Sequence, residues 1–506
     1  MSMLNILKRV LLLIGVICLS TPIWGQKLIT YEAGMGSRDR QNPDVWILYQ
    51  RVRAQHEGMV LYADSALLNT VQNDFTAYRR IKIILTDTTS ITGSELYYDG
   101  NARVVHMWGD TVVFKDGKTI LKTDNLTYDR NTSTATYTCW GHAVNGTSTL
   151  DSRQGYYHSD TKEFFIYDDV VLRDDSTYLI TDTLLYNTNS HLARFVSPTH
   201  IYSDSTEVYS EHGSYNTSSK RAVSTRASEV RNGATTLTGD SLIFVNGSSR
   251  GWAYGDVRIA DTVNHITCTG MFGFTDQEER TSLITSGALV VFVDKGDTLW
   301  LHADTVWMRN SKDNDLEAFL AWNHAKLYRR DAQGMCDSAS YTAADSLMRL
   351  YGCPVLWQDS YQCTADTIII AHNGDKMRRA DLRSSAMAVE QVDPQKYNQV
   401  KGANGVVYFA KGEPDYADIL GSAQMVYYIT EDDGYGRQLL VGVNVGRGAD
   451  MRIYFERRQP KRVVTYGEPD MMTYPLEQLP ADKTRLPGFE WYDSHRPKEP
   501  SDVFVW

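Results

Sequence analysis

Along most of the chain, apolar and polar residues alternate with a period of two, in runs of about ten separated by short polar turns. In "LITDTLLYN", Leu179 to Asn187, Leu184 and Tyr186 fall on one face and Thr183 and Leu185 on the other. This period predicts strands with one buried face. The Asp-x-Leu-x-Tyr phrase inside it returns as "ADSALLN", "GSELYYD", "TDNLTYD", "GDSLIFVN", "ADTVWMRN", "CDSASYT" and "ADTIIIA", with weaker copies between. The third anchor of each phrase gives Leu68, Tyr98, Tyr128, Tyr157, Tyr186, Tyr215, Phe244, Phe274, Met308, Tyr341 and Ile370. Most steps are about 29 or 30 residues, and the two flanking Met308 stretch to about 34, so the chain is an internal repeat.

Each unit has a second alternating run after its turn, as in "VHMWGDTVVFKDG" and "GWAYGDVRIAD". Two ten-residue strands with short turns make a hairpin, and equally short turns between hairpins force antiparallel neighbours. Strands about 4.8 Å apart advance such a stack by roughly 10 Å per unit, so about eleven units predict an elongated all-β body on the order of 100 Å long. Six of the 13 prolines precede residue 459, as expected where backbone N–H groups serve a ladder. The parity of the phrase lines Leu184, Tyr98, Tyr128, Tyr157, Tyr186, Tyr215, Phe244 and Phe274 into one inward ladder. That ladder fits either a sealed core or an apolar trough able to take acyl chains.

Composition narrows the function. Net charge is −11, and removing Lys8 and Arg9 with a leader makes it more acidic, which argues against nucleic-acid binding. The first 25 residues, charged at Lys8 and Arg9 and apolar from Val10 to Leu19, predict a cleaved secretory signal; Ile17 before Cys18 argues against a lipid anchor. The spacing divides the rest into a leader (26–58), two repeat regions (59–300 and 301–458) and a proline-rich arm (459–506) expected to pack over the body or dock on a partner without regular strand pairing. Cys353 and Cys363 are a candidate disulfide across a turn near Gln358 and Asp359. The repeating Asp64, Asp124, Asp182, Asp240, Asp304, Asp337 and Asp366 look like an acidic or calcium array, but a Ser or Thr following each except Asp124, where Asn125 follows, favours strand-entry hydrogen bonding.

The stacked units together with "VKGANGVVYFAKGEPDYADILGSAQMVYYITEDD", "LLVGVNVGRGADMRIYF", "YPLEQLP" and "LPGFEWYDSHRPKEPSDVF" resemble the OstA/LptA family of periplasmic lipopolysaccharide-transport proteins, from about Met59 to Trp506. The resemblance implies a twisted, V-shaped β-jelly roll open along one edge. It implies an interior that takes the acyl chains of lipid A, and end-to-end association or docking to inner-membrane and outer-membrane transport components. It also implies a non-enzymatic protein. The residues themselves show no His-Glu-x-x-His, phosphate loop or nucleophile elbow, and no catalytic, metal or cofactor site is expected. A structural β-solenoid spacer or adhesin without lipid cargo is the competing reading; a β-helix enzyme would need carboxylates clustered on one rung.

Overall fold

In a computed structural model the alternation becomes forty strands in antiparallel pairs, with four 3-10 turns near the C-terminus and no α-helix among the described residues. The structure describes residues 27–203, 206–245, 250–294, 296–373, 376–432 and 438–506, so the expected signal segment lies outside the described residues. The chain forms two compact units, Met1–Ser197 and Pro198–Trp506. The stretch near residue 300, where the repeat step lengthens, falls inside the second.

In the first unit the strands Val45–His56, Met59–Asn69, Asp74–Ile84, Thr89–Asp99, Val104–Asp116 and Thr119–Asp129 pair in sequence order. The stack thus begins before residue 59, within the segment expected as a leader. Each pair is interrupted midway by a register shift, for example between Tyr62 and Ser65 or between Trp108 and Val112. Gln50, Arg51, Arg79, Arg80, Asp168 and Asp169 have positive φ at these breaks. Such bulges bend a strand sharply. Phe114 pairs with Leu121, seven residues before Tyr128, a separation of about 23 Å along a straight strand. The Phe114 and Tyr128 rings nevertheless lie 5.7 Å apart. The strands therefore fold over at the bulges, and the sheet makes two walls that face each other.

The recurrent aspartates mark this crease: Asp240, Asp337 and Asp366 immediately precede a strand, as expected, whereas Asp64, Asp124, Asp182 and Asp304 lie at the break within longer strands. Arg80 pairs with Asp64 at 2.9 Å, Trp140 Nε1 donates to Asp124 at 2.5 Å, and the Asp182 carboxylate accepts from Thr183. In the second unit the backbone N–H groups of Asp240, Asp304, Asp337 and Asp366 donate to carbonyls of Gly255, Asn323, Tyr351 and Ser384 across the same break. The phrase Asp-Ser/Thr therefore starts a new wall, because the bulge interrupts the ladder and frees local donors and acceptors.

The second unit ends in longer strands, Lys376–Asp393, Glu413–Asp432 and Gln438–Glu456. Two expectations change here. Gln459–Tyr466 and Asp470–Pro475 both pair with Gln438–Glu456, so regular pairing continues into the proline-rich tail. Pro460 is tolerated beside the turn, where the register shifts, and Pro475 ends its strand, positions that need no ladder N–H. Cys353 and Cys363 are both free thiols. Their hairpin turns at 359–360 and sets Cys363 opposite Leu356, while Cys353 sits at the crease with positive φ.

From Leu476 onward the chain leaves the sheet as an arm that seats on the second unit. Leu486 joins a cluster with Val389, Tyr397, Val426, Tyr428 and Val443, while Met425 belongs to a separate cluster with Ile419, Met451 and Ile453. Neighbouring residues of one strand, Met425 and Val426, thus serve two different cores. The pairing register links Met425 through Val400, Ala388, Cys363, Leu356, Gly334, Leu327 and Leu301 on the inward face. The arm therefore covers the outward face of that wall.

Candidate functional site

The space between the walls is lined by the ladder that the repeat phrase specifies. In the first unit Tyr157, Leu184 and Tyr186 are 0% exposed, and Tyr98 and Tyr128 are buried. Their neighbours are also apolar: Tyr157 lies 4.5 Å from Phe164 and 5.8 Å from Phe114, ring to ring. In the second unit Tyr215 and Phe244 are buried in the same way.

Phe274 departs from the ladder. Gly273 and Thr275, on either side of it, are buried, while Phe274 is half-buried and pairs with Trp252 on the opposite face. Aligned on their terminal aspartates, "GMFGFTD" and "GSELYYD" place Gly273 and Thr275 at the Leu96 and Tyr98 positions, and Phe274 at the outward position of Tyr97. A one-residue offset inverts the face in a strand. Gly273 is needed there, because a Cβ would lie 2.6 Å from Val257 Cγ1.

The tips of the walls approach each other across the mouth of the first unit. His56, beside one turn, reaches Tyr98, beside a turn on the other lip. Lys27 O can only accept, so His56 Nε2 donates to it at 2.7 Å and Nδ1 accepts the Tyr98 hydroxyl at 2.7 Å. Arg130 donates to Tyr98 Oη at 2.8 Å and to Glu57 O at 3.0 Å. Two rungs on, the Asp116 carboxylate, 1% exposed, accepts from Thr89 Oγ1 at 3.1 Å, Tyr157 Oη at 2.9 Å and Lys162 Nζ at 2.5 Å. Burial holds His56 below its ordinary value. Burial also pushes the Tyr157 phenol up, with Asp116 adding to the effect, and raises Tyr137 to about 12. These shifts report a dry interior closed by polar contacts at its rim. Sequence reading missed those rim residues; the signal available was a basic residue within successive turns, Arg103, Arg130 and Lys162.

No group of three or more His, Cys, Asp or Glu able to hold a metal occurs among the described residues, and no helix among them is long and apolar enough to cross a membrane.

A sheet creased along its strands around a repeated aromatic ladder defines a repeat-built β-protein with an apolar interior. Residues 28–175 and 166–240 match the family model of OstA-like proteins, and residues 207–376 match that of the LptA/(LptD N-terminal domain) LPS transport protein. The chain belongs to the OstA/LptA-like family of lipopolysaccharide-transport proteins. Among solved structures it is similar to LptH, the LptA homologous periplasmic component of the lipopolysaccharide transport device from Pseudomonas aeruginosa. That match is 13% identical, covers 29% of this chain and 96% of that one, and has a TM-score of 0.22. No curated protein matches the chain.

Proposed function

We propose that this chain carries lipopolysaccharide through the periplasm by holding the acyl chains of lipid A between its two walls. The observation that supports this most directly is an apolar interior whose rim, in the first unit, carries hydrogen bonds and ion pairs from lip to lip. Rim contacts can be exchanged for headgroup contacts, and the ring contacts behind them, such as Phe114 against Tyr128 and Tyr157, can be exchanged for contacts with acyl chains. Shielding matters because each exposed CH2 costs about 0.8 kcal/mol in water. On this reading ladder residues Tyr98, Tyr128, Tyr157, Leu184, Tyr186, Tyr215 and Phe244 part to admit the chains.

Terminal strands would supply the docking edges. Gln459–Tyr466 and Asp470–Pro475 end the second unit with Tyr466, Met471 and Met472 exposed, and unpaired strand edges recruit further strands. They fit inner-membrane or outer-membrane transport components of like fold, or a second copy of this chain, in a bridge between the membranes.

Photo-crosslinkers placed at Tyr186 and Phe244, with the outward Tyr178 as control, test the reading in cells. Lipopolysaccharide adducts at the two ladder sites and none at Tyr178 are expected. Absence of adducts at every ladder position would instead favour a spacer without cargo.

A further inference from the structure

The rim of the first unit repeats a charge arrangement that a purely structural closure does not require. The last residue of each turn on one lip has positive φ, a conformation that favours Gly and Asn. Yet Arg103 and Lys162 hold that slot, as do His191, Lys220 and Arg280 further along. In the first unit that slot is Asn73, Arg103, Ser133, Lys162 and His191 in turn, so its two permanent cations stand at alternate turns. Across the mouth each of these two cations meets an anion 46 residues earlier in sequence: Arg103 pairs with Glu57 and Lys162 with Asp116. The Arg103–Lys162 spacing is two repeat units, roughly 20 Å along the stack.

Asp116 shows that this rim is built to hold an anion. Its carboxylate is almost wholly buried yet satisfied by Thr89, Tyr157 and Lys162, and a buried charge is tolerated only with such a set of donors. Glu57 is held on the same lip by Arg103, with Arg130 bound to its backbone carbonyl. Both basic groups keep a third or more of their side chain open to solvent, so an incoming anion can reach them.

We propose that Arg103, Arg130 and Lys162 form a phosphate-binding rim, whose internal counter-ions Glu57 and Asp116 are displaced by the phosphate groups of a glycolipid headgroup as its chains enter. The lip-to-lip ion pairs are then latches. A phosphate takes the cations and leaves Asp116 with Thr89, its donor on the same lip, so the contacts of Asp116 to Lys162 and Tyr157 across the mouth are given up and the lips part. This rests on the carrier reading above and adds the group that opens the mouth.

The full chain is titrated with bisphosphorylated lipid A, with the same lipid after phosphatase treatment, and with inorganic phosphate. The native chain is expected to prefer the phosphorylated lipid, and Arg103→Gln with Lys162→Gln to weaken that form roughly 10- to 100-fold while leaving the dephosphorylated form unchanged. Glu57→Gln, which keeps the size of the side chain, is expected to tighten the phosphorylated form by freeing Arg103. Equal affinity of the native chain for both lipids, or a preference that survives the double substitution, overturns the proposal. A Tyr186 crosslinker that still labels both lipids then shows the carrier reading intact. Binding of neither lipid sinks both, and saturation by inorganic phosphate alone, lost in the double variant, reassigns the rim to free phosphate.

Discussion

The outward faces of the two units differ more than their interiors do. On the first unit the outward face of the wall is open to solvent: His142 and Arg173 share the Asp151 carboxylate, and Tyr178 and Ile180 are 44% and 42% exposed. On the second unit the corresponding face carries Trp357, 1% exposed, with Val389 and Val426, all buried under the chain's own C-terminal arm. The seat reads the arm through its backbone. Gln399 Oε1 accepts from Leu486 N–H at 2.8 Å and its Nε2 donates to Thr484 O at 2.9 Å. Gln362 repeats the arrangement with Tyr492 N–H and Glu490 O, both at 2.8 Å. Gln333 accepts from Arg496, and Lys326 Nζ donates to Val505 O. The same hairpin stack thus has one buried face where solvent covers it and two where an arm does.

The largest effect that tests this contrast is at Trp357. Trp357→Ala is expected to destabilise the second unit by about 3–5 kcal/mol, since it empties a filled core. Tyr178→Ala on the first unit should change stability by about 0.5 kcal/mol or less; chemical denaturation of each variant checks both. Equal losses would mean that the outward faces are not different in kind.

Smaller is Gln362→Leu, which leaves the Tyr492 N–H and Glu490 O of the arm without partners, at about 1–3 kcal/mol. The arm should then be cut by protease near Tyr492 before the sheet is. An arm as resistant as in the native chain would show that its apolar contacts suffice.

A pH series separates the units by cause. An unfolded His56 takes a proton near 6.5, whereas burial lowers the value in the folded chain. The unfolded state therefore binds more protons as pH falls below about 6.5, so this contribution is full above that pH and lost as pH falls toward the folded value. His302 in the second unit is lowered by burial in the same direction, and its ring lies 4.6 Å from that of Phe504 on the arm. Thermal unfolding between pH 8 and 5.5 should show both dependences, with Phe504→Ala reducing only the second.

The weakest perturbation is thiol labelling. Alkylation at pH 8 is expected to reach exposed Cys139 and Cys353, to spare buried Cys268 and Cys336, and to be slow at half-buried Cys363, whose thiol is pushed up to about 11 by desolvation. Protection of Cys353 would contradict its place at the open crease.

Much of the interior was legible because a strand has an exact side-chain period of two. Tyr98, Tyr157 and Tyr186 follow from parity alone, whereas Phe274 was misplaced because an aromatic was aligned instead of the turn aspartate. In the outer core of the second unit the alternation itself fades: "AQMVYYIT" is apolar on both faces, which reads as a fully buried strand without saying what covers it. Nothing in the local sequence marks Gln333, Gln362 and Gln399, since a buried amide is recognisable only from the partner that satisfies it.

By itself, then, the sequence determined the hairpin repeat, the inward ladder and the family, because these depend on spacing between near neighbours along the chain. Only the tertiary structure decided where the strands crease, which residues meet across the mouth and which face the arm covers. Arg103 meets Glu57 46 residues away, and Gln362 meets Glu490 128 residues away. Contacts at such separations are fixed by the folding of the walls, and no local pattern encodes them.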